Sequence, residues 1–144
     1  MNVVLGLLWP FGGRRQAFLV DGPNLLRSEL DFDLETAREV LGDVSVARVY
    51  LDHHAPPSLV EAVETNGMEV VVTSGDVDVK MAVDAALLAS EGFDVAFGTR
   101  DADFKPAVEA VNREGSRSTV VAVSDCFSSA LESTADDVVL LDEE

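Results

Sequence analysis

Asp101 and Asp103 stand two residues apart in Thr99-Arg100-Asp101-Ala102-Asp103-Phe104, where the apolar run Val95-Ala96-Phe97 gives way to an amphipathic segment. Two carboxylates at the mouth of a buried strand repel each other. As hard oxygen donors, however, they suit a divalent cation such as Mg²⁺ or Mn²⁺. Asp21 has the same placement: it ends the apolar run at 16–20 and opens Asp21-Gly22-Pro23-Asn24. Further along, Asp84 shares a narrow polar stripe with Lys80 and Glu91 on an otherwise apolar helix, and Asp78 lies near that helix's start. Asp21, Asp84, Asp101 and Asp103 form the candidate catalytic and metal-binding set, with Asp78 as a further metal candidate. Asn24, Thr99 and Arg100 are the candidate substrate contacts, and Arg27 is a second arginine past the first aspartate.

Each of these residues also has an ordinary structural role open to it. Asp21 suits an Asx-turn with Gly22-Pro23, and Asn24 a turn or cap. Asp78 reads as the N-cap of its helix, and Asp84 as the partner of Lys80 four residues earlier. Asp103 fits the N-cap of the helix that follows it, and Thr99 a loop-orienting role. Asp101 has the weakest structural alternative. His53-His54 reads as a loop pair, Cys126 as a small core residue, and Ser128 and Ser129 as caps.

Those residues need a scaffold that brings strand ends together. Short apolar runs at 16–20, 44–51, 68–73, 95–98, 118–123 and 138–141 read as strands. Helical patterns fall between them. One runs over 34–41 between an Asp33 cap and Gly42, and one begins at the Ser58–Glu61 capping box and ends at Asn66-Gly67. A third spans about 79–91 and is expected to be mostly buried. A fourth runs from Phe104 or Lys105 to Glu114, and a short one covers 127–132. Alternating strands and helices predict an α/β domain over 16–144, a three-layer α/β/α sandwich with a largely parallel sheet. With strand order 3-2-1-4-5, the first and fourth strands are neighbours, and Asp21, Asp101 and Asp103 converge outside their carboxyl ends.

Composition narrows the classes. The formal net charge of −17, from 27 acidic against 10 basic residues, repels polyanions at low salt. Scarce lysine with abundant Asp, Ala and Val reads as a protein of a halophilic, high-salt cytoplasm, where such charge is screened within about 3 Å at 1 M. A single cysteine excludes an internal disulfide and a Cys-based zinc site. Residues 1–15 are apolar at first, but the run is too short to span a bilayer, and Arg14-Arg15 follow it rather than precede it. They are expected to be a flexible extension outside the domain, with an interfacial anchor or docking tail as the alternatives.

Three stretches, V-D-G-P-N-L-L at 20–26, D-V-D-V-K-M-A-V-D-A-A-L-L at 76–88 and T-R-D-A-D-F at 99–104, resemble the NYN domain. This is the PIN-like nuclease family that contains the LabA-like proteins, and the chain is similar to a small uncharacterised archaeal branch of it. The likeness runs from about Ala17 to Leu141. It implies a PIN-like fold and metal-dependent (Mg²⁺ or Mn²⁺) cleavage of RNA phosphodiesters, and likeness to paired PIN-like domains adds a homodimer to the expectations; the single cysteine fits a reducing cytoplasm. Asp21 and Asn24 match the family's D-x-x-N, Asp84 the helical acid, Asp78 the aspartate of V-D-V, and Thr99, Asp101 and Asp103 the S/T-x-D-x-D motif. Gly75-Asp76 replaces a Lys-Gly found in many LabA-like chains, and Ala102 replaces a common glycine. The absent lysine keeps a non-catalytic metal- or nucleic-acid-binding module of the same fold as the alternative. A haloacid-dehalogenase phosphatase would need D-x-D directly after the first strand, and a receiver domain a lysine after a late strand. Neither is present.

Overall fold

The structure, a computed structural model, describes residues 14–26, 32–124 and 127–142. Residues 1–13, Arg27 and Cys126, which figure in the sequence reading, lie outside the described residues. The chain runs β1 (Gln16–Asp21), α1 (Gly22–Leu25), α2 (Leu34–Leu41), β2 (Val46–Asp52), α3 (Pro57–Thr65), β3 (Glu69–Thr73), α4 (Val77–Ser90) and β4 (Asp94–Gly98). A 3₁₀ turn (Ala102–Phe104) then leads into α5 (Lys105–Arg113), followed by β5 (Ser118–Ala122), α6 (Ser129–Thr134) and β6 (Asp137–Leu140). All strand pairs are parallel, and the order is β3-β2-β1-β4-β5-β6. The expected α/β sandwich and strand order are present, with β6 added beyond β5.

Successive strand residues face opposite layers, and both layers are covered. Phe18 and Val20 face one core with Leu25, Val49, Leu51 and Val63. Ala17 and Leu19 face the other, with Tyr50, Met81, Phe97, Phe104 and Val108. Continuing that alternation, Asp21 falls on the second layer, beneath α4.

Several helix ends differ from expectation. The segment after Asp21 is a four-residue helix rather than a simple turn. Its Pro23 fits the first turn, where the N–H has no intrahelical partner. Pro56, not Ser58, occupies the N-cap of α3, and no side chain caps that helix; Pro57 with its preset φ opens it instead. α4 starts at Val77, so Asp76 holds the N-cap position without a side-chain hydrogen bond and Asp78 lies inside the first turn. Nor is α4 mostly buried, because Val79, Val83 and Leu87 are exposed. Right-handed crossovers explain this: β1→β2→β3 steps put α1–α3 on one face, and the return from β3 to β4 puts α4 on the other. There α4 packs on α5, and no described helix flanks it over β3. Among the described residues no helix is long and apolar enough to cross a membrane.

Candidate metal centre

β1 and β4 are adjacent at the point where strand order reverses, so the loops at their carboxyl ends open a crevice. Asp21, at the end of β1, is 3% exposed. Asp101 follows β4, and Asp78 reaches in from the first turn of α4. One carboxylate oxygen from each of Asp21, Asp78 and Asp101 lies within 4.8 Å of the others. Among the described residues, none of the three is within 4 Å of a lysine, arginine or histidine nitrogen.

Burial with like charges makes Asp21 reluctant to ionise. Its pKa is raised from 3.8 to about 7, first by desolvation, then by the charge of Asp78 and, more weakly, of Asp101. The Asn24 amide and the Thr99 hydroxyl pull it partway back. Asp78 is shifted upward too, by burial first, then by the charges of Asp101, Asp103 and Asp76. A cluster that holds protons for want of positive charge fits a hard divalent cation, whose ligand set is carboxylate oxygen and water.

The loop after β4 is tightly specified. Thr99 is fully buried, and its Oγ1 accepts from the Asp101 N–H at 3.1 Å. Asp101 caps the 3₁₀ turn, its Oδ1 accepting from the Asp103 N–H at 2.9 Å. Asp101, with the weakest structural alternative on sequence grounds, therefore does have a structural role as well as a place in the cluster. Asp103 does not cap the helix; it lies on the exposed rim. Arg100 Nε donates to Asn24 Oδ1 at 2.9 Å, so the two candidate substrate contacts, 76 residues apart, are joined across the crevice.

Asp84 is not brought into the cluster. Six residues after Asp78, it is rotated by about 240° and lies about 9 Å further along the helix. Its Oδ2 accepts from the Tyr50 hydroxyl at 2.7 Å, its Oδ1 from Lys80 Nζ at 3.1 Å, and Arg48 Nη1 stands 3.6 Å away. The Tyr50 phenol is held protonated, its pKa raised by burial and by the Asp84 hydrogen bond. The pairing with Lys80 is the contact expected from the i,i+4 spacing. Tyr50 and Arg48 carried no sequence signal, because their contact depends on how α4 lies across β2. His53 and His54 stack on each other, 4.0 Å between ring centroids, and belong to the β2–α3 turn.

Comparison with known proteins places these residues in context. The NYN domain family profile matches residues 15–142. An uncharacterised protein of the archaeon Methanocaldococcus jannaschii is 45% identical over 138 residues, covering 92% of this chain and 58% of its own length. The chain thus spans little more than half of that curated relative. The crystal structure of a protein of unknown function from Vibrio parahaemolyticus superposes with a TM-score of 0.78 at 25% identity, covering 90% of this chain and 94% of that one.

Proposed function

This chain belongs to the NYN domain family, within the PIN-like nuclease superfamily, and from that premise we propose that it is a metal-dependent ribonuclease working in a high-salt cytoplasm. The observation that carries the reading is the convergence of Asp21, Asp78 and Asp101 with no cationic partner among the described residues. These three would hold Mg²⁺ or Mn²⁺, and Asp103 adds negative charge at the rim. When bound, the cation supplies Lewis acidity, which lowers the pKa of water and offsets charge on phosphoryl oxygens. The chain's own residues do the positioning. Thr99 and the Asp101 cap fix the loop, and Arg100, steered by Asn24, presents its remaining N–H groups to a backbone phosphate. Asp84, bonded to Tyr50 and Lys80, ties α4 to β2 at a point separate from the cluster. RNA as substrate rests on the family.

Hydrolysis of single-stranded RNA with Mn²⁺ in molar KCl tests the reading, with Asp101→Asn as control. Cleavage by the wild type alone is expected. Equal cleavage by both proteins would refute it. Mn²⁺-dependent stabilisation without turnover would favour the non-catalytic binding module, which the Gly75-Asp76 replacement supports.

A further inference from the structure

A cavity of about 140 Å³ opens between α1, the end of β2 and the start of α3. It lies at the same end of the sheet as the metal centre. Asp21 pairs in register with Tyr50, so Leu51 and Asp52 stand one and two residues beyond that level. Pro23, Leu26, Leu51 and Leu59 give the cavity aliphatic walls, and Asp52 and His54 are its ionisable groups. Among the described residues no lysine or arginine lines it, so it offers no cation to a phosphate.

One short helix ties this cavity to the metal centre. Gly22, the residue after Asp21, belongs to the lining, and Pro23 and Leu26 share a face of the α1 turn. Asn24, next to Pro23, carries the Oδ1 that accepts from Arg100 Nε. Neighbouring Cα atoms are about 3.8 Å apart, so a phosphate held at Arg100 has the cavity within reach of its own nucleoside. The lining also selects the occupant. A flat, apolar-faced group fits the aliphatic walls, and imidazole is one of the surfaces on which RNA bases stack. His54 extends such a surface by stacking on His53, 4.0 Å between ring centroids. Asp52 Oδ1 accepts from the His54 N–H at 2.9 Å, which holds the carboxylate in place. With about four lone-pair sites, the carboxylate still accepts from further donors. It suits a base with two neighbouring N–H donors. Guanine has them, at N1 and N2, whereas uracil has one N–H flanked by carbonyl oxygens that a carboxylate repels.

We propose that this cavity is a nucleobase subsite for guanine in single-stranded RNA, beside the scissile phosphate. The proposal rests on the ribonuclease reading for its substrate class.

Guanosine and uridine 5′-monophosphates (GMP and UMP) test it, because neither contains a phosphodiester to be cleaved. Binding is read from the methyl NMR signals of the full chain, with Mg²⁺ and again with EDTA. GMP is expected to shift the Leu26, Leu51 and Leu59 methyls and, in both conditions, to bind about fivefold or more tightly than UMP. Asp52→Asn keeps an acceptor for the His54 N–H and should bring the two affinities close to equal. Ala55→Phe, which fills the cavity, should weaken GMP binding several-fold with Mn²⁺ affinity unchanged. Should that variant unfold, Asp52→Asn decides alone, since Asp52 is partly exposed and its replacement is isosteric. Equal wild-type affinities for GMP and UMP would overturn the proposal. So would methyl shifts confined to other residues, or a preference untouched by Asp52→Asn. The two readings fail separately. A GMP preference that persists in EDTA, with no Mn²⁺-dependent hydrolysis of RNA, would sink the ribonuclease and keep the base subsite. Hydrolysis that is lost in Asp101→Asn, with equal GMP and UMP affinities, would keep the ribonuclease and remove the subsite.

Discussion

Asp21 carries the tension of the site, since the alternation of β1 buries it while α4 and the β4 loop bring Asp78 and Asp101 against it. Between pH 3.8 and about 7 the unfolded chain has lost this proton while the folded chain still holds it, so stability of the metal-free protein falls as pH rises through that window. The loss is up to roughly 4 kcal/mol. Denaturant unfolding in EDTA at pH 5 and pH 8 should show the fall in the wild type and a flatter profile in Asp21→Asn, which should be the more stable of the two at pH 8. Parallel profiles would contradict the origin given to the shift. Asp84 makes a contrasting prediction. Tyr50→Phe removes the hydroxyl that donates to a buried carboxylate and should cost about 1–3 kcal/mol, while leaving Mn²⁺ affinity, measured by calorimetry, within about twofold of wild type. Asp78→Asn should weaken Mn²⁺ binding at least tenfold. Equal losses for the two would put the Asp84 network inside the metal centre.

At the scale of elements, the centre depends on two tight junctions between strand and helix. The first is Gly22, packed so closely on β2 that a Cβ there would lie 2.6 Å from the Tyr50 carbonyl oxygen and collide with the Leu51 side chain. The motif needs glycine for this close approach. Gly22→Ala is therefore expected to destabilise by about 1–3 kcal/mol and to lower Mn²⁺ affinity as Asp21 shifts. Unchanged melting and binding would show that the β1–α1 junction has slack. The second junction is the 3₁₀ turn, which Asp101 caps through Oδ1 while one of its carboxylate oxygens lies in the cluster. The motifs at both junctions were legible, since D-G-P-N and T-R-D-A-D are local patterns, but the packing of Gly22 on β2 and the capping role of Asp101 were not. The α1 helix itself was not, because four residues carry no periodicity to read.

For the whole molecule, the sheet order decides the site and the charge bears on the stability of the fold. A net charge of −17 on 144 residues opposes compaction. Screening shortens from about 10 Å at 0.1 M to about 3 Å at 1 M, so the melting temperature should rise by several degrees between 0.1 M and 1 M KCl. A scan showing no rise would remove the high-salt reading, which rests on composition alone. The reversal at β1 and β4 also explains the exposed face of α4: three helices serve one layer from β1 outward, and α4 must return across the other, leaving its flank toward β3 uncovered.

Residue types and short spacings were enough to name the crevice, because D-G-P-N at the end of β1 and T-R-D-A-D after β4 are local patterns on buried strands, and parallel α/β packing leaves few strand orders. The same patterns put Asp84 ahead of Asp78 on one helix, reading Asp84 into the ligand set and Asp78 first as an N-cap. Which of them joins the cluster is a matter of rotation, about 240° apart, and is decided by how α4 lies on β1 and β2. Tyr50 and Asp84, 34 residues apart, and Arg100 and Asn24, 76 apart, meet only through that packing. The exposed Val79, Val83 and Leu87 stripe has the same cause: a helix wheel shows that a face is apolar, but only the tertiary arrangement leaves that face without a neighbour.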